Sequence, residues 1–251
     1  TIRIALTDTD PYGYGTAWGY FPGNANWSGD VWFYRFNPSD PTTPVAGNWA
    51  WATMIHELGH ALGLKHTQGP FDNGANGVTF PQMPAFFDRM EYSIMSYKSY
   101  VGADLNAGGY RNETWGYAQT WMMLDILALQ HMYGADFTPN TSEVVYSWRP
   151  ETGTTFVNGE AAIEPGLNRI FATIWDGGGN VTYDLSAYSG NLQIDLRPGA
   201  HSRFSDIQLA NLGDGNFAQG NIYNAMQFNG DMRSLVRKAI GARPDLRPPL
   251  T

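Results

Sequence analysis

The chain has 251 residues, of which 43 % are hydrophobic and 15 % charged, with a formal net charge of −8 and no cysteine. That length and apolar fraction describe a folded globular protein with a sizeable core, not a disordered one. The acidic balance without any Lys/Arg block excludes the basic footprint of a nucleic-acid or anionic-membrane partner, and the missing cysteines exclude disulfides, Cys-ligated zinc and thiol nucleophiles.

Residues 1–47 alternate short strand patterns, at 2–6, 16–21 and 31–36, with turn clusters such as Pro11-Tyr12-Gly13-Tyr14-Gly15, which predicts a small sheet. The first strand pattern has no charged n-region or apolar h-region before it, so position 1 reads as the interior of something longer. Asn48 suits the cap of a helix from Trp49 to about Leu62, with Gly63 as a left-handed exit. Residues 65–116 are rich in Gly, Asn and Pro and have little periodicity apart from the compact piece 92–97; a loop of that length is expected to be functional or disordered. A second, mostly buried helix is predicted over 121–133, stopped by Gly134 and able to pack under the first. Strand patterns then follow at 169–175, 181–185 and 192–196, so a boundary is placed near residue 136. No period of 20 to 50 residues repeats, and 242–251 reads as a Pro/Arg tail, expected to be disordered. No apolar run approaches the roughly 18 residues of a spanning helix.

Three of the chain's five histidines fall in His56-Glu57-Leu58-Gly59-His60-Ala61-Leu62-Gly63-Leu64-Lys65-His66. Residues i and i+4 of a helix share a face, so His56 and His60 can point at one ion roughly 2 Å from each nitrogen. Glu57 is rotated off that face, but it can reach a water on the ion and take its proton as general base. Bringing His66 back to the same point requires a sharp exit after Leu62, which a glycine at 63 allows. Three protein ligands with an open fourth position are the catalytic arrangement for zinc, and they point to hydrolysis. The bland reading is a helix whose histidines face solvent; HExxH alone leaves it open, and the longer pattern with its glycine argues against it.

That stretch, followed after a long loop by Ser93-Ile94-Met95-Ser96-Tyr97, resembles the metzincin zinc endopeptidases and, among them, the serralysins. The segments 17–23, 124–135 and 174–179 are similar to serralysin segments too, so the resemblance runs from about 1 to 241. It implies an α+β fold: a metzincin-type catalytic domain over 1–135, a twisted small sheet plus two long helices and N-terminally incomplete, then the β-rich start of a β-roll-type domain over 136–241, and the tail 242–251. It implies zinc on His56, His60 and His66, and Glu57 as base and later proton donor to the leaving amine. Met95 would floor the imidazoles, and Tyr97 would be a switchable fifth ligand that also helps hold the oxyanion. The substrate would be a polypeptide of extracellular proteins, laid as an added strand near residues 16–20. The protein would be a secreted, extracellular bacterial monomer with no nucleic-acid or membrane partner.

Calcium is the second cofactor the resemblance raises. The turn Asp176-Gly177-Gly178-Gly179 resembles a family calcium site, with Asp176 and Gly178 as its candidate residues, but Val181 stands where a second carboxylate is expected and the turn chemistry alone favours a plain turn. After Gly241 the family continues into calcium-binding nonapeptides, whereas here Ala242-Arg243-Pro244 opens an unrelated tail. The rival from another class is a non-catalytic binding or adhesion module with a relict zinc site; a third reading is a zinc hydrolase of small amides. Glu57 weighs against a purely structural metal site, which has no use for a base.

Overall fold

The computed structural model describes residues 1–13, 15–36, 42–69, 71–72, 79–105, 110–138 and 142–241; the predicted tail 242–251 lies outside them. Strands β1 (Arg3–Thr7), β2 (Ala17–Gly19) and β3 (Asp30–Tyr34) form the predicted small sheet in the order β1, β3, β2. β1 runs parallel to β3, and β2 runs antiparallel to it with Trp18 opposite Trp32. Alternation puts Val31 and Phe33 on one face with Ala17, and this face packs on Met54, Leu58 and Ala61. Those three belong to helix α1 (Trp49–Ala61), so β2 lies as an edge strand over the helix that carries the histidines.

Asn48 caps α1, its Oδ1 accepting from Trp51 N–H at 2.8 Å. At the other end Gly63 takes φ +103°. Its N–H bonds His60 O and Leu64 N–H bonds Gly59 O, both at 2.9 Å, the paired bonds of a Schellman exit. Beyond it, β4 (Phe71–Asp72) and β5 (Thr79–Phe80) pair antiparallel within the stretch read as lacking periodicity; two-residue strands are too short to show alternation. The second helix, α2 (Met123–Tyr133), ends at Gly134 as predicted.

The rest is strand. β6 (Glu143–Trp148), β7 (Thr155–Val157) and β8 (Glu160–Ile163) are followed by β9 (Ala172–Ile174), β10 (Asn180–Leu185), β11 (His201–Ser202), β12 (Asn211–Gly213), β13 (Asn216–Phe217), β14 (Ile222–Asn224) and β15 (Val236–Gly241). A five-stranded sheet has the order β15, β10, β6, β7, β8, with β10 parallel to both of its neighbours; β9 and β14 pair parallel in a second sheet. Val144, Tyr146 and Trp148 of β6 and Val181, Tyr183 and Leu185 of β10 point one way and share a core with Ile170, Ala172, Ile174 and Ile222. The strand predicted at 192–196 does not form among the described residues: Gln193 makes an isolated bridge to Arg203, and Asp195 N–H is taken by the Ser202 hydroxyl.

A second core joins the two halves of the chain. Ala52, Leu64, Met90, Ile94, Met95 and Met122 pack with Phe171, Ala210, Leu212, Ala218 and Tyr223. Glu91 adds a polar tie, accepting from Tyr223 O–H at 2.5 Å and from Gln219 N–H at 2.8 Å. The described residues are thus β-rich, with mixed sheets, two α-helices and one turn of 3-10 helix at Met232–Ser234. No helix among the described residues is long and apolar enough to cross a membrane.

Candidate metal centre and cleft

α1 and its exit turn bring the predicted histidines together. His66 Nε2 lies 3.1 Å from His56 Nε2 and 2.9 Å from His60 Nε2. The outer nitrogens of two rings are held by backbone carbonyls: His56 Nδ1 meets Ile94 O at 2.9 Å, and His60 Nδ1 meets Leu64 O at 2.7 Å. A carbonyl only accepts, so each Nδ1 carries the proton and each Nε2 presents a lone pair. Burial pushes all three imidazoles down, His56 well below its ordinary value, with its neighbours His60 and His66 adding to the effect. His66 is brought to about 4 by burial and then by His60 and Lys65. The lone pairs of His56 and His60 and the Nε2 of His66 meet at one point, a donor set that fits a divalent metal.

The carbonyls of Leu64 and Ile94 are the orienting partners that spacing does not reveal. Leu64 O comes from the glycine exit, so that turn both delivers His66 and orients His60. Ile94 O comes from the compact piece 92–97, whose Met95 is only 1 % exposed. Tyr97, which is 37 % exposed, places its hydroxyl 2.9 Å from His66 Nε2, and its ring is stacked on that of His56 at 5.7 Å.

Glu57, 8 % exposed, lines a cleft of about 530 Å³ with His60, His66, Tyr97 and the β2 residues Ala17, Trp18 and Gly19. Burial raises its carboxyl to about 7, against the pull of the Gly19 N–H that donates to it; a cation at the triad would draw it back down. Gly19 was not singled out by sequence reasoning, yet a Cβ there would sit 2.4 Å from Glu57 O and 3.0 Å from His60 Cβ. Gly19→Ala should therefore lift β2 off α1 and destabilise the protein by about 1–3 kcal/mol, as overpacking does; urea unfolding at the parent midpoint would count against this close approach.

Asp176 lies far from the triad in the chain. Its Oδ1 accepts from Gly178 N–H at 3.3 Å and Gly179 N–H at 3.2 Å, and its Oδ2 accepts from Tyr146 O–H at 3.2 Å. These bonds close an Asx-type turn in which both carboxylate oxygens already have donors.

Residues 135–232 match the family Peptidase M10 serralysin C terminal. The chain is similar to the serralysins. Serralysin G of Dickeya chrysanthemi is 33 % identical over 193 residues, 76 % of this chain and 37 % of the relative. Serralysin C of Dickeya chrysanthemi is 33 % identical over 221 residues, 87 % and 43 %. Serralysin of Proteus mirabilis is 32 % identical over 207 residues, 82 % and 38 %. These serralysin alignments cover more of the chain than the family match to its C-terminal part does. The chain spans about two fifths of the length of these relatives.

Proposed function

We propose that the chain carries the catalytic site of a secreted, serralysin-type zinc endopeptidase. One observation carries this reading: three imidazole Nε2 atoms converge beside a buried glutamate in a cleft bordered by an edge strand. His56, His60 and His66 would hold the zinc, and the tie of their Nδ1 atoms to Ile94 O and Leu64 O sets the two helical rings. When bound, zinc supplies a Lewis acid that polarises the scissile carbonyl and makes water nucleophilic near neutral pH.

The chain's own groups do the rest. A polypeptide added along the β2 edge of the sheet would bring its scissile bond over Glu57, with backbone bonds along this strand supplying affinity. The Glu57 carboxylate takes a proton from the attacking water and passes it to the leaving nitrogen. The Tyr97 hydroxyl, against His66 Nε2 at 2.9 Å, would swing and donate to the oxyanion. Met95 fills the space beneath α1, its Sδ against Gly59. Both carboxylate oxygens of Asp176 already accept from Gly178, Gly179 and Tyr146, so this reading assigns no ion to that turn.

The purified chain should bind one zinc per molecule and cleave casein, and a chelator should abolish cleavage until zinc is restored. Stoichiometric zinc without turnover on casein or a mixed peptide library would move the reading to a binding module.

A further inference from the structure

Asp88 is fully buried and belongs to none of the groups assigned so far. Its Oδ1 accepts from Thr67 O–H at 2.5 Å and from Ser96 O–H at 2.7 Å, and its Oδ2 faces Lys98 Nζ at 2.9 Å. Ser96 Oγ in turn accepts from Lys98 N–H at 3.1 Å. Thr67 follows His66 and Ser96 precedes Tyr97, so one carboxylate grips the neighbours of both groups that meet at 2.9 Å above the helix. His66 and Tyr97 sit on separate loops 31 residues apart in the chain. α1 holds the first two histidines rigidly, whereas His66 lies past the exit turn and Tyr97 past the compact piece; neither has a helix to place it.

We propose that Asp88 is a positioning residue that sets the distance between His66 and Tyr97, and with it the placement of the third imidazole and of the tyrosine at the metal. The physical case is that a buried carboxylate holding two hydroxyls and an ammonium is confined by all three, and charge-assisted bonds of this kind are short and directional. Removing the carboxylate frees the hydroxyls of Thr67 and Ser96 to turn elsewhere, and the two loops lose their common point. Lys98 is partly exposed, so its ammonium can turn to water, which makes Asp88→Asn informative. The amide oxygen can still accept from both hydroxyls while the charge is gone, so it separates geometry from ion pairing.

This inference rests on the metalloprotease reading, but its first readout is metal binding, which needs no turnover. Asp88→Ala should weaken zinc about 10- to 100-fold in a chelator competition, the usual effect of losing a partner behind the ligands, while Asp88→Asn should retain most of the affinity. The cobalt(II)-loaded protein should show an altered visible spectrum in Asp88→Ala and a near-parental one in Asp88→Asn. For turnover, kcat should fall with KM little changed, and the loss should shrink in a Tyr97→Phe background, because two residues acting through one group are not additive. If Asp88→Ala does not fold, Thr67→Val and Ser96→Ala each remove one hydroxyl while keeping the Asp88 to Lys98 pair, and each should weaken zinc. Lower thermal stability with unchanged zinc affinity and cobalt spectrum would make Asp88 a merely structural residue and overturn the proposal. A parent that binds zinc at the triad but cleaves nothing would overturn the protease reading alone, and the affinity series would still decide the role of Asp88.

Discussion

Glu57→Gln should bind zinc as the parent does and hydrolyse peptides about two to four orders of magnitude more slowly, the range that general acid–base catalysis supplies. Glutamine preserves the shape of the side chain and its acceptor for Gly19 N–H, so β2 and α1 stay in contact. What it removes is the ability to take and return a proton. Glu57 is not among the converging nitrogens, so metal content measured by atomic emission should not change. KM should move little, because the carboxylate faces the reacting water and not the body of the substrate. A glutamine variant as fast as the parent would sink the base assignment, whatever the metal content.

How far the site could be read from the sequence divides along chain distance. His56, His60 and Glu57 lie within one helical turn, and Gly63 marks the exit, so spacing alone places them. The helices are legible for the same reason: Asn48 and Gly134 punctuate periodic segments, and both stand at helix ends in the structure. Groups that orient the ligands leave no local trace. Ile94 O reaches His56 across 38 residues, and Asp125 reaches Ser93 across 32. Gly19 reads as an ordinary strand glycine until α1 is laid against it. In the β-rich part, β6 does alternate, with Val144, Tyr146 and Trp148 inward, but it follows Pro- and Asn-containing residues that read as loop. The reverse error at 192–196 has the same root: an alternating pattern fits a strand only while a partner edge continues, and here backbone pairing stops at the single bridge of Gln193 with Arg203, the Asp195 N–H going to the Ser202 hydroxyl.

Asp125→Ala should destabilise the protein by about 3 kcal/mol or more, because each buried donor left without its acceptor costs about 1–3 kcal/mol. Three donors depend on this one carboxylate. Ser93 O–H reaches Oδ1 at 2.5 Å, while Ile94 N–H at 2.8 Å and Met122 N–H at 3.0 Å share Oδ2. The residue is 2 % exposed, so water has no easy access to replace the acceptor. It also stands in the first turn of α2, where a negative charge meets the positive end of the helix. Its loss should reach the metal centre as well: Ile94 N–H is fixed by Asp125, and Ile94 O orients His56, so zinc affinity should drop with stability. pH gives an independent check. Burial raises this carboxyl from 3.8 to about 6 despite its donors. A folded value above the unfolded one means that ionisation opposes folding; this contribution is most favourable below about pH 4 and is lost as pH rises through about 6. Asp125→Asn keeps one acceptor, should fall between alanine and parent in urea unfolding at neutral pH, and should remove that slope. The difference between parent and asparagine stability measured from pH 4 to 7 isolates the group from the other titrating carboxylates. An alanine variant unfolding at the parent urea midpoint would show that the three donors find other partners, and the anchoring of Ile94 would have to come from the core packing of Met95 and Met122 instead.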